Sequence, residues 1–446
     1  MKLPSPHPLL ARTLLALAAT ALHHPASADR GDQADPATTP AAWCAGRCDA
    51  VVTDWSVAAL QVIQAADGYQ NPLTASRALA MLHLAMHDAV NSVRPRFRRF
   101  AAGAVAINPA ADPAVAASAA AAGVLAALYP QPAATALTHA AHARVLLEAG
   151  TGPRITAASQ IGQAAAQAVL AQRSNDGSGG AEPYTEGTHP GAYRFTPPFD
   201  FTLMPHWRQV TPFGIASASQ FRTAPPPDLA SPDYARDFNE VRRVGGKDSA
   251  ARTTDQSHYA AFWYELSDIG WNRVARAASG RVQQDLWERA RSFALLNMAL
   301  ADTYIAGWDS KFHHDFWRPV TAIHLAGTDG NALTQPDAAF EPFLPTPPVP
   351  DMPSTHAALG MAAATVLAET FGRDHVPIAF ASSSALPTNA VRAFRSFSEA
   401  ARENADSRVR AGLHFRFAVE AGLRLGQQVG RHVARHQLQP AGGAND

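Results

Sequence analysis

Only two cysteines, Cys44 and Cys48, stand among the 446 residues. Two thiols fall short of the four ligands of a usual structural zinc site. In an oxidising compartment their closeness predicts a small disulfide loop near the N-terminus rather than a reactive centre. Charge excess is also missing: Lys plus Arg and Asp plus Glu each number 37, so the formal net charge is zero. With no global basic field to hold nucleic acid or an anionic membrane, any cationic function has to be local. After residue 22 no apolar run is long enough to cross a bilayer. The alanine-rich stretch 116–128 is too short and reads as a buried helix. Strand signals are scarce, which predicts an all-α protein. The pairs His83/His87 and His432/His436 have i, i+4 spacing, but no Glu completes an H-E-x-x-H pattern. They read as core or surface histidines.

What is present begins with an export pattern. Lys2 and Arg12 precede an apolar run over 13–22, and Ala26-Ser27-Ala28 supplies small residues for cleavage before Asp29. Residues 1–28 therefore read as a signal peptide, and the mature protein as periplasmic or secreted. Residues 29–52, which hold both cysteines, read as a flexible lead-in. The remainder, 53–446, is long enough to bury a sizeable core and reads as a single large helical domain.

Apolar spacing predicts helices over 53–66, 75–93, 113–128, 132–149 and 153–173. Further helices are expected over 231–242, 249–266, 281–313, 355–371, 389–404 and 412–437. Residues 174–227 are rich in Gly, Pro, Asn and Thr and predict a long loop wrapped on the body. A second connection, 336–353, is rich in proline. One internal echo stands out: RALAMLHLAMHDAV at 77–90 and RSFALLNMALADTY at 291–304 align without gaps. Arg77 then falls on Arg291, Ala80 on Ala294, Ala85 on Ala299 and Asp88 on Asp302. A duplicated helical unit would give two related bundles, about 53–245 and 246–440; shared amphipathic patterning is the simpler alternative.

Three elements carry chemistry. Lys311 and Arg318 are seven residues apart, two helical turns, so a continuous helix would point both to one side. Pro319 predicts that this helix ends at Arg318. Arg offers a planar fork for two oxygens and Lys a point charge. Pro353-Ser354-Thr355-His356 precedes a helix, whose first amides are unpaired donors that suit an anion. Ser354 adds a hydroxyl, and His356 can move a proton. Arg408 and His414, six residues apart, fall on different faces of a straight helix, so a break near Gly412 is needed for them to converge. Together the three elements point to a site for an oxoanion.

In that order, Lys311 to Pro319, Pro353 to His356 and Ser407 to His414 resemble the signature of the vanadium-dependent haloperoxidases and the type 2 phosphatidic acid phosphatase superfamily. That signature reads K-x6-R-P, P-S-G-H and S-R-x5-H-x3-D. The flanks, such as ALADTYIAGWDSKFHHDFWRPVTAI, look like the soluble haloperoxidase branch. The clear resemblance spans about residues 290–430.

The resemblance implies a fold of two related helical bundles and vanadate as cofactor. His414 would be the axial vanadium ligand, or the phosphoryl-accepting nucleophile of a phosphatase. Lys311, Arg318 and Arg408 would balance the oxygens, Ser354 and the Thr355 amide would donate hydrogen bonds, and His356 would be the acid–base group. Hydrogen peroxide, a halide and an organic acceptor would be the partners, with no nucleic acid and no membrane span; self-association is open. Three departures stand out. Thr355 replaces Gly, and a β-branched residue resists positive φ. Ala418 replaces the last Asp, whose carboxylate could orient His414; a backbone carbonyl or water would have to serve instead. Val349 replaces an aromatic residue of chloroperoxidase-like sequences, which favours bromide or iodide over chloride.

Three readings follow: a vanadate-dependent haloperoxidase, a soluble acid phosphatase acting through phosphohistidine at His414, and a vestigial oxoanion binder. His313 and His314 are expected at the pocket entrance. Trp308 is expected either as an apolar pocket wall or, more simply, in the core.

Overall fold

Proline starts much of this protein's helical structure. The computed structural model describes residues 46–101 and 105–442. Its α-helices are α1 (Arg47–Asp67), α2 (Pro72–Val93), α3 (Pro113–Leu128), α4 (Pro132–Ala149), α5 (Pro153–Gln172), α6 (Pro232–Val244), α7 (Thr254–Phe262), α8 (Ser267–Ser279), α9 (Leu286–His314), α10 (Pro319–His324), α11 (Thr355–Thr370), α12 (Phe397–Arg410) and α13 (Arg416–His436). Six of them open on a proline, whose fixed φ suits the first turn and whose missing N–H would be unpaired there anyway. Asn71, Asp112 and Ser231 cap three of these six with side-chain oxygens.

A single antiparallel hairpin, β1 (Ile378–Ala381) with β2 (Val391–Phe394), completes the regular structure of the described residues. The fold is all-α, as expected. The helix expected over 389–404 instead begins at Phe397, because 391–394 pairs with 378–381. The segment expected as one helix over 249–266 ends at Phe262, and α8 follows after a short turn. The predicted signal peptide and residues 29–45 lie outside the described residues. Cys48 is disulfide-bonded, and α1 already begins at Arg47.

Helices α1 to α5 pack on one another, and α11 packs on α9, α12 and α13. Helices α2 and α9 join the two groups. These two carry the sequence echo, and its matched aspartates do the same job. Buried Asp88 accepts the amides of Phe100 and Ala101, and buried Asp302 accepts those of Phe213, Gly214 and Ile215.

The long connection between α5 and α6 holds only a short 3-10 turn, Pro205–Gln209. It is tied to α9 along its length. Besides the Asp302 bonds, Trp308 Nε1 donates to Leu203 O, Arg222 grips Asp309 with two bonds of 2.7 Å, and the Ser310 hydroxyl receives the Thr223 amide. Trp308 is therefore core packing with its polar handle satisfied.

Gly422, Gly426 and Gly430 recur every four residues on α13 and face α11. A Cβ on Gly422 would strike the carbonyl of Ser354, and one on Gly426 that of Ala358. Bare glycine lets the two backbones touch and sets the height of the α11 N-terminus. Ala418, one turn earlier, accepts the Ser354 amide at 2.9 Å.

Candidate active site

Lys311 lies in the last turn of α9, which ends at His314; Asp315 then takes a left-handed conformation at φ 48° and turns the chain. Arg318 is the N-cap of α10 rather than the end of α9. The two cations thus do not share a helix face, as their spacing suggested. They converge because both bind one stretch of the proline-rich connection. Lys311 Nζ donates to Pro350 O at 2.6 Å and Asp351 O at 3.0 Å. Arg318 Nε donates to Val349 O at 2.7 Å, and its Nη1 to Leu413 O at 2.9 Å.

Ser354 is the N-cap of α11, yet its side chain makes no capping bond and its buried Oγ has no partner. A serine at this position ordinarily caps, so the free hydroxyl is an oriented donor awaiting something else. Thr355 opens the helix without a positive φ, so replacing Gly there costs no left-handed strain. The Nε2 of His356 is 3.1 Å from Glu265 O. A carbonyl only accepts, so the proton belongs on Nε2 and Nδ1 keeps its lone pair. His356 is the one member of the group that keeps partial exposure.

Helix α12 ends at Arg410, and Gly412 at φ 80° breaks the chain before α13. This is the break required for convergence. His414 sits in the connection with Nε2 3.0 Å from Arg318 Nη1. Arg408 is fully buried, and its Nε and Nη2 have no partner. Among the described residues its hydrogen bond is a long one, 3.5 Å from Nη1 to Trp263 O, and its guanidinium lies 5.6 Å from the Tyr264 ring centre.

Three participants were not anticipated. Tyr264 and Glu265 were expected inside a helix; they stand in the turn between α7 and α8, where the Tyr264 ring faces Arg408 and the Glu265 carbonyl receives His356. The third, Asp351, is the only acid between Glu341 and Glu369 in the sequence. Its Oδ1 is 2.7 Å from His414 Nδ1 and 3.7 Å from Arg318 Nη1. A carboxylate therefore faces His414, where a backbone carbonyl or water was expected. The histidines expected at the entrance behave otherwise: His314 bonds Thr223, and His313 is exposed. His83 and His87 are buried in α2, while His432 and His436 stack on each other along α13.

Electrostatics state what the site lacks. Lys311, Arg318 and Arg408 are at most 1% exposed, and Asp351 is the one carboxylate paired among them. Three basic side chains thus face one carboxylate, and buried unpaired charge is among the costliest features a fold can carry. Burial, then Arg318, depresses the Lys311 ammonium well below its usual value. Burial likewise lowers Arg408, to about 10. Burial, then Arg318, holds His414 far below the usual imidazole value; burial, then Arg408, does so for His356, so both are neutral at pH 7. Burial lifts Asp351 to about 7, against the lowering pull of Arg318 and Lys311. An oxoanion would satisfy the unpartnered Ser354 hydroxyl and Arg408 donors and offset the excess charge.

Residues 291–443 match the family model of the VCPO second helical-bundle domain. That segment is similar to the second helical bundle of the vanadium haloperoxidases. All seven signature residues of this haloperoxidase-type bundle, Lys311, Arg318, Ser354, Thr355, His356, Arg408 and His414, lie in the matched segment. The chain is 29% identical over 388 residues to the vanadium chloroperoxidase of Curvularia inaequalis, a match covering 69% of this chain and 63% of that protein. It is similar to a bacterial vanadium-dependent iodoperoxidase structure at a TM-score of 0.72 and 24% identity, covering 87% of this chain and 96% of that one. A bacterial vanadium-dependent chloroperoxidase in its holo form matches at a TM-score of 0.66 and 18% identity, with 83% and 93% coverage. The haloperoxidase fold thus extends over both groups of helices.

Proposed function

We propose that this protein is a vanadate-dependent haloperoxidase that uses hydrogen peroxide to oxidise bromide or iodide to a hypohalous species. The observation that carries the reading is the buried excess of positive charge, with the unpartnered Arg408 and Ser354 donors, beside His414. Lys311, Arg318 and Arg408 would hold the oxygens of vanadate, with help from the Ser354 hydroxyl and the Thr355 amide. His414 Nε2 would be its protein ligand. Bound vanadate supplies a Lewis-acidic centre that activates peroxide without changing oxidation state.

The protein's own residues do the rest. Prearranged cations compensate charge without reorganising during the reaction. His356, neutral and partly exposed, accepts the proton that incoming peroxide must lose, at Nδ1, while Glu265 O holds its Nε2–H. The apolar Val349 favours the larger halides in the family comparison made from the sequence. A cleft of about 750 Å³ lined by Phe195, Val320, Phe343 and Leu344 begins two residues beyond Arg318 and suits an apolar organic acceptor. The signal-like N-terminus and the disulfide at Cys48 support a periplasmic or secreted location.

Peroxide-dependent oxidation of iodide and bromide, measured with and without orthovanadate in phosphate-free buffer beside His414→Ala, tests the proposal. Vanadate-dependent turnover lost in the variant supports it; no turnover with any halide sinks it. The neutral, carboxylate-facing His414 also suits a phosphoryl-accepting nucleophile. Hydrolysis of an aryl phosphate, inhibited by vanadate and without peroxidase activity, would select the acid phosphatase. Oxoanion binding with neither activity would leave the vestigial binder.

A further inference from the structure

The family pattern ends in H-x3-D, and here the last position is Ala418, the first small residue of the α13 face turned to α11. We propose that the carboxylate has moved rather than vanished: Asp351, from the proline-rich connection, is the positioning residue that fixes the ring of His414.

Four observations carry this. Asp351 Oδ1 stands 2.7 Å from His414 Nδ1, while Arg318 Nη1 lies 3.0 Å from Nε2 and 3.4 Å from Nδ1. The Asp351 backbone is pinned on both sides: its amide donates to Phe316 O at 2.8 Å, and its carbonyl accepts from Lys311 at 3.0 Å. The residue is fully buried, and neither carboxylate oxygen makes a hydrogen bond of good geometry to any described side chain, so it acts on His414 through proximity and charge. Arg318 Nη1 lies 3.7 Å from the same Oδ1, so a cation faces the carboxylate beside the ring.

A carboxylate facing Nδ1 keeps the proton there and leaves the Nε2 lone pair aimed into the cationic pocket. Without it, the Arg318 donor, 3.0 Å from Nε2 and 3.4 Å from Nδ1, can meet a lone pair on either ring nitrogen, so either tautomer can form. The imidazole then presents N–H to the oxoanion part of the time, and affinity falls. The same connection that Lys311 and Arg318 grip therefore also orients the ligand histidine. One short segment couples all three groups.

The inference rests on His414 facing an oxoanion, and the test separates the two. Ring-nitrogen NMR on histidine-labelled protein without any anion reports the His414 tautomer, and equilibrium binding of orthovanadate and of phosphate reports affinity. In Asp351→Asn, which preserves shape, the Nδ1–H form gives way to a mixture. Vanadate affinity drops roughly 10- to 100-fold, the usual cost of losing such a partner, while thermal unfolding stays near that of the parent. An Asp351→Asn protein that keeps a pure Nδ1–H His414, or binds vanadate as the parent does, overturns the assignment. So does loss of thermal stability with the tautomer intact, since that marks a merely structural residue. Adding Ala418→Asp to Asp351→Ala is expected to return the Nδ1–H signature. A folded double variant that stays mixed overturns the interchange of the two positions. A parent that binds neither anion removes the oxoanion reading, and the tautomer measurement still decides the role of Asp351.

Discussion

Gly412 lies against the backbone of Gly245, so close that a Cβ on Gly412 would collide with the Gly245 carbonyl oxygen. That carbonyl already accepts the Phe343 amide at 2.9 Å. The contact holds the break between α12 and α13 that lets Arg408 and His414 meet. Gly412→Ala combines this collision with a positive φ, and is expected to lose about 2 kcal/mol of stability. Denaturant unfolding reads that loss, and vanadate binding should weaken with it. An alanine variant of parental stability would show that the break does not need glycine.

Arg408 is buried with unpartnered donors and no counter-charge of its own. Replacing it with a shape-filling apolar side chain should help folding and harm function. Arg408→Met is expected to raise the anion-free protein's stability by about 1 kcal/mol or more. The same change should abolish orthovanadate binding. Thermal unfolding without anion, paired with a binding titration, checks both signs. A large fall in stability would mean that Arg408 has a structural partner.

Ser354 occupies an N-cap position without capping. Ser-to-Ala changes at true caps cost about 1 kcal/mol, whereas Ser354→Ala is expected to cost less than about 0.5 kcal/mol, because no bond to the helix is lost. Oxoanion affinity should fall by about tenfold, as expected for one hydrogen bond to a charged group. A stability loss of ordinary cap size would return Ser354 to a structural role.

His83 offers a pH test outside the site. It is fully buried with both ring nitrogens unpartnered, and burial, then Arg276, lowers it to about 3. The unfolded chain takes up a proton near 6.5 and the folded chain does not. Stability is therefore complete above about pH 6.5 and is lost as pH falls from there toward 3. Between about pH 8 and about pH 5 this one group should remove about 2 kcal/mol. His83→Leu should flatten that part of the pH–stability curve; parallel curves would show that His83 is solvated.

Much of this was legible in the chain. The helices that start at Pro113, Pro132 and Pro153, the long connection and the signature residues Lys311, Arg318, Ser354, Thr355, His356, Arg408 and His414 could be read in order, because local backbone chemistry and motif spacing are properties of sequence. The break at Gly412 was also readable, since geometry demanded it. Tertiary structure decided the rest. Asp315 ends α9 before Arg318, so Lys311 and Arg318 meet through a shared loop rather than a shared helix face. The pairing of 378–381 with 391–394 turned an expected helix into a hairpin, as strand pairing overrides local propensity. The missing carboxylate at Ala418 looked like a loss along the chain. In three dimensions Asp351, 63 residues before His414 in sequence, fills that position, because a carboxylate needs only to reach the imidazole, and folding rather than spacing determines which one does.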